Sequence, residues 1–132
     1  MNYFKINGRA FDVVVTALSE NFNILYSENT GRTLDAGAPM TLDPIGTFYG
    51  HEVTVQRRKG NEAEYDELFS IISKPRYDGL LVEIAHDQKT ISYMAYISSG
   101  SRNVEKIDSK NGRILWGEMK LKITPLKAQV IP

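Results

Sequence analysis

Two histidines, His51 and His86, are the strongest acid–base candidates in the chain, and each stands beside a carboxylate, Glu52 and Asp87. Imidazole next to carboxylate is the raw material of general acid–base catalysis. The spacing withholds the geometry. Both histidines fall within or at the end of segments with strand periodicity, where neighbouring residues point to opposite faces, so His51 and Glu52 cannot act as a local dyad. A metal site needs further converging ligands, and no HxH, HxxxH or HExxH spacing occurs. Each histidine therefore reads as a partly exposed strand residue. No serine lies in G-x-S-x-G or S-x-x-K, and the absence of cysteine excludes disulfides, thiolate metal sites and thiol nucleophiles. The expectation is a non-enzyme with no metal and no cofactor.

Phosphate and nucleic acid are the next ligands to consider. The stretch SENTGRTLDAGAPM, Ser27 to Met40, carries Gly31 and Gly37 with Arg32 between them. A phosphate-cradling Walker loop needs G-x-x-x-x-G-K-[ST] between a strand and a helix; here the lysine is missing and APMTLD follows. Arg57, Arg58 and Lys59 form a basic triplet, and Trp116 shares a strand face with Lys120 and Lys122, the interleaving used by single-strand binders. Yet 16 basic residues balance 16 acidic ones, and a nucleic-acid binder needs a clear basic excess. Zero net charge is compatible with association into assemblies.

The elements that must position these residues are mostly strands. At 132 residues the chain fits one domain, 1–132. YFKI puts Phe4 and Ile6 on one face, Asn7-Gly8 signals a tight hairpin, and FDVVVTAL reads as the returning strand with Phe11, Val13, Val15 and Ala17 facing one way. NFNILYS alternates again, with Phe22, Ile24 and Tyr26 together. After the irregular stretch, MTLD is a short strand ended by Pro44, and Thr47–Arg58 is a longer one, with Tyr49, His51, Val53 and Val55 on one face. The pattern then changes. Tyr65, Leu68, Phe69 and Ile72 form a helical stripe, Asn61 and Glu64 resemble a capping box, and Pro75 stops a helix over about 61–73. Strands resume at Gly79–His86, Thr90–Ser99 and RNVEKIDS. Asn111-Gly112 makes a second hairpin, and RILWGEMKLKIT places Leu115, Met119, Leu121 and Ile123 towards the core with Trp116 on the solvated face. Tryptophan there needs cover, from the chain's own helix or loops or from another subunit. The fold class is mainly β: an antiparallel sandwich or barrel of seven to nine strands with one flanking helix.

The N-terminal MNYFKINGRAFD lacks the basic segment and apolar core of a signal peptide, and no apolar run reaches the roughly 20 residues of a membrane-spanning helix. No membrane partner is expected.

The succession of Phe4 to Gly8, Gly31 and Arg32, Gly37 and Met40, Tyr65 to Pro75, and Trp116 to Ile123 covers nearly the whole chain in order. It resembles a family of small tail proteins from siphophages and prophages of Gram-positive bacteria. The resemblance implies a tail-tube-like fold, two packed antiparallel sheets with one helix on the flank. It also implies subunits in a ring, usually a hexamer, around a channel through which DNA passes without sequence-specific binding. The implied role is structural, at the distal tail near the baseplate or in the tail tube, beside other phage tail proteins, and the implied location is the virion, after synthesis in the bacterial host cytoplasm. On this reading the loop at 28–39 is an arm that becomes ordered on a neighbouring subunit, and Gly31, Arg32, Thr33, Leu34, Gly37 and Trp116 are its candidate subunit-interface residues. The alternative is a small ligand- or carbohydrate-binding β-domain, which needs a cleft lined by aromatics such as Tyr49, Tyr93, Tyr96 or Trp116.

Overall fold

A computed structural model describes residues 3–132. The elements run β1 (Phe4–Ile6), β2 (Val13–Tyr26), β3 (Gly31–Arg32), β4 (Met40–Thr41), β5 (Pro44–Arg57), α1 (Glu62–Ile72), β6 (Leu80–His86), β7 (Lys89–Asp108) and β8 (Arg113–Pro125). Six strands form one antiparallel sheet in the order β1-β6-β7-β8-β5-β2, and β3 pairs with β4 in a separate ribbon. The fold is mainly β with one flanking helix, as the residue periods require. It is not a closed barrel. The sheet rolls until Glu20 of β2 touches His86 at the end of β6, but β1 and β2, its two edge strands, do not pair with each other. The gap near them is a cavity of about 210 Å³ whose lining includes Phe4, Phe11, Val13 and Leu18.

Several strands differ from the sequence expectation. Asn7 (φ 51) and Gly8 (φ 80) do make the tight turn, closed by Ile6 and Arg9 bonding each other's backbone at 3.0 Å. The returning segment, however, leaves β1 and pairs with β5 instead. The flank of β1 is taken by β6, where Phe4 sits opposite Ile84 and the Asn7 backbone N–H donates to the Leu81 carbonyl at 2.7 Å. The two segments read around residues 11–18 and 22–27 are one 14-residue strand. Between Val15 and Ala17 the register shifts by one residue, so Val15 faces Val55 but Leu18 faces Val53. This bulge turns Ala17 away from the core side and brings Leu18, Glu20, Phe22 and Ile24 onto it. Likewise the segments at 90–99 and 102–109 merge into the 20-residue β7, with register shifts beyond Ile97, Arg102 and Val104.

The core gathers Ile6, Val53, Val55, Val82, Ile84, Ala95, Met119 and Ile123, all at most 1% exposed. The helix closes it with Tyr65, Leu68 and Ile72, as the stripe predicts, and the Tyr65 hydroxyl donates to the Gly117 carbonyl at 2.7 Å. Its N-terminus is not a capping box. Asn61 stands at the cap position but makes no side-chain cap bond; its amide donates to Asp12 at 2.7 Å, while Glu64 and Glu67 pair with Arg9.

Trp116 also departs from its expected face. It packs against the core, because β8 loses its alternation where Val104 pairs with Trp116 but Arg102 with Met119. The Arg102 guanidinium lies 4.0 Å from the Trp116 ring centre and 3.9 Å from that of Phe69, and bonds Asp66 at 3.1 Å. A cation stacked between two rings is worth about 1–2 kcal/mol when partly desolvated. Arg102→Ala is expected to lose about that much in urea unfolding and to red-shift the emission of Trp116, the only tryptophan. Unchanged emission would show that Arg102 does not cover the indole.

Candidate functional site

The stretch from Ser27 to Met40 is a small ribbon rather than an irregular loop. Gly31 pairs with Thr41 and Arg32 with Met40; Thr33 N–H donates to the Pro39 carbonyl at 2.9 Å. Asp43 anchors its base, accepting from the Ser27 hydroxyl at 2.5 Å, while its own backbone N–H donates to the Thr30 hydroxyl at 2.8 Å. The ribbon turns back through Gly37 (φ 85) and Ala38 (φ 44). Arg32 donates to the Ala38 carbonyl at 3.2 Å within the ribbon, and Leu34 is fully exposed at its tip. Five of the six candidate interface residues therefore share one protrusion. Trp116 is not among them. Its carbonyl is bonded by Arg57 at the far end of β5, about a 14-residue strand length, roughly 45 Å, from the ribbon.

The longest exposed feature is β2 itself. It forms one edge of the sheet, and every residue in it except Val13 is exposed. Its free side presents an unpaired row of backbone N–H and C=O groups. Edge strands are normally guarded by lysine, proline, short length or inward charge. VVVTALSENFNILY contains no lysine, arginine or proline, and Glu20 is its one charge. Phe22 is 68% exposed and Leu25 45%. The apolar surface continues at the ribbon end through Ile45 to the C-terminal segment, where Val130 bridges to Thr47 and the Gln129 side chain clasps the backbone N–H and C=O of Tyr49 at 3.0 Å each.

The acid–base residues are assembled in a way that neighbour pairs in the sequence do not show. His51 is not partly exposed; it is fully buried. Its partner is Glu20, its cross-strand neighbour, and Glu20 joins both histidines: Oε2 lies 2.9 Å from His51 Nε2 and 2.6 Å from His86 Nδ1. The Tyr93 hydroxyl lies 2.7 Å from His51 Nδ1, and the Tyr49 ring packs on His86 with centres 4.9 Å apart. An ionised carboxylate only accepts. His51 Nε2–H therefore donates to Glu20, and the bare Nδ1 of the neutral ring accepts from Tyr93. Burial lowers the His51 pKa from its usual 6.5, outweighing the raising effect of Glu20. Burial also pushes the Tyr93 phenol well up, aided by the Glu20 charge, so it remains a donor. For Glu20, burial opposes ionisation, but the bonds from His86 and His51 prevail and hold it below its usual 4.5. The missed signal was Glu20 standing on the Phe22–Ile24 side of its strand; its link to His51 depends on the β2–β5 register.

Other constellations resolve into ordinary contacts. In the basic triplet, Arg57 pairs with Glu105 at 2.9 Å and Arg58 with Asp12 at 2.5 Å; Asn61 and Arg58 hold Asp12 below the usual carboxylate range, and Arg57 does the same for Glu105. The four aromatics proposed for a ligand cleft do not line one cleft: Tyr93 and Tyr49 flank the two histidines joined by Glu20, Trp116 lies under Arg102, and Tyr96 is on the other sheet face. Among the described residues no group of three or more His, Cys, Asp or Glu is arranged to hold a metal ion, and no helix is long and apolar enough to cross a membrane. No family model matches the chain, and a search among curated proteins finds no relative.

Proposed function

We propose that this chain is a structural subunit of a phage or prophage tail that builds a ring, six subunits in the simplest case, at the distal tail or in the tube. The observation that carries the reading is the free 14-residue edge of β2 with its exposed apolar side chains. A strand of that length with no lysine, arginine or proline along it can template another strand, and in a closed ring every such edge is satisfied. The ordered resemblance to small tail proteins supplies the tail, the channel for DNA and the other tail proteins as partners. The ribbon carrying Gly31, Arg32, Thr33, Leu34 and Gly37 projects beyond the same hairpin and is the arm that meets a neighbour. Arg32 would there exchange its weak internal bond for a carboxylate.

The test is sedimentation velocity with negative-stain imaging, alone and with co-expressed tail proteins. Ring-sized particles are expected for the native chain. Phe22→Lys combined with Leu25→Lys should leave a monomer with thermal unfolding changed by no more than about 0.5 kcal/mol, because both positions are surface sites. Removing Gly31–Gly37 should likewise abolish rings. A native chain that stays monomeric even beside its tail proteins sinks the proposal.

A further inference from the structure

The structure assigns a second property to the same edge strand: Glu20, His51 and His86 form a proton-operated latch that ties β2 to the far end of β6, and acidification opens it. The inference concerns the single subunit and does not rest on ring formation.

The geometry makes the latch. Glu20 belongs to an edge strand, His51 to the adjacent β5, and His86 to the last residue of β6, three strands beyond β5 in the sheet order. One carboxylate oxygen spans this separation, at 2.9 Å and 2.6 Å. It is a direct side-chain tie between β2 and β6. The groups facing the site come from four elements. Glu20 comes from β2, Tyr49 and His51 from β5, and Tyr93 from β7. From β6 and the turn after it come His86 and Asp87, whose carboxylate is 3.6 Å from His86 Nε2, and Lys89, the cross-strand neighbour of His86, opens β7. On β8, Ile123 faces His51 and carries no charge.

Every hydrogen in the buried part is committed while His51 is neutral. A proton added at Nδ1 meets the Tyr93 hydroxyl, which must then turn its own hydrogen away and lose its acceptor inside the core. His51 cannot leave, being fully enclosed. Relief falls to the two members that already reach solvent, His86 at 17% and Glu20 at 32% side-chain exposure, which part into water and free the middle of β2.

The direction follows from linkage. His51 binds its proton less readily folded than unfolded, so the unfolded or opened state takes the proton first. Its contribution is complete above pH 6.5 and drains as pH falls below 6.5. Glu20 acts in the same direction further down: its contribution is complete above pH 4.5 and is lost as pH falls through its lowered folded value.

Hydrogen–deuterium exchange from about pH 7.5 to about pH 5.5, corrected for intrinsic exchange, tests the latch. Opening of β2 around Leu18–Phe22 is expected to grow by up to about tenfold per pH unit, ahead of Leu121–Ile123 in β8. In His51→Gln the amide can still donate to Glu20 and accept from Tyr93 without titrating, so the dependence should flatten. Imidazole ¹⁵N shifts of the native chain are a readout independent of that variant's folding. They should show the Nε2–H tautomer at neutral pH and protonation of His51 in step with the loss of β2 protection. Protection that is flat with pH, loss in step with β8, or a dependence that survives His51→Gln overturns the latch; ring assembly would be untouched by any of these results.

Discussion

Tyr65→Ala should destabilise the domain by about 3–5 kcal/mol, the range for removing a fully buried large aromatic. Tyr65 is 1% exposed, and its neighbours on the helix stripe, Leu68 and Ile72, are 0% and 6% exposed. The helix is 11 residues long, too short to persist in water without a packed face. Removing the ring therefore opens a cavity and weakens the one surface that keeps α1 helical. The hydroxyl can be separated from the ring. Tyr65→Phe leaves the packing and strips the half-buried Gly117 carbonyl of its donor, which should cost about 0.5–1.5 kcal/mol, the net range for one hydrogen bond. Burial raises the Tyr65 pKa, so the donor persists through neutral pH. Urea unfolding with helix content followed in parallel decides the matter. A loss below about 1 kcal/mol for the alanine variant would mean that the helix is not part of the cooperative core.

Gly79→Ala should be nearly as damaging, although it adds a single methyl group. Gly79 has φ +78, and a Cβ there would lie 2.5 Å from the Ala95 carbonyl oxygen and 3.1 Å from Leu126 Cδ1. The first contact is with backbone. Ala95 is fully buried and paired with Leu80 in the β6–β7 ladder, so neither strand can give way without breaking pairing. Left-handed backbone for an L-residue costs about 1–2 kcal/mol and overpacking about 1–3 kcal/mol, which together set the expectation at about 2–5 kcal/mol. Gly112→Ala is the control. Its φ is +65, but a Cβ there meets nothing within 4 Å, so the backbone cost alone should remain, about 1–2 kcal/mol. Equal losses at the two positions would show that the contact with Ala95 does not govern Gly79.

The proposed association edge and the proposed latch lie on one element. β2 is an exposed edge strand, and Glu20, its one charge, is drawn inward to His51 and His86. Opening the latch would return that charge to the surface of β2, which makes the state of a buried histidine relevant to whatever pairs there.

What the amino-acid order determined by itself is local. Alternation of apolar and polar residues marked the strands, because the pleat repeats every two residues. The spacing of Tyr65, Leu68, Phe69 and Ile72 marked the helix α1, and the positive φ at Asn7, Gly8 and Gly112 was legible as turn chemistry. The partners of those strands were not legible. A turn at Asn7-Gly8 closes whether or not the next strand returns, and β6 took the place beside β1 because Ile84 and Val82 complete the same buried face. The bulge at Thr16 reversed the faces of half of β2, and the lost alternation before Met119 carried Trp116 to the core side under Arg102. The candidate site shows the same division. The ribbon residues were visible as a cluster because they are consecutive, while Glu20, His51, His86 and Tyr93 are scattered over 74 positions and meet only because a rolled sheet brings its second and sixth strands face to face. Register between distant strands is chosen by burial summed over the whole sheet, and no single segment carries that sum.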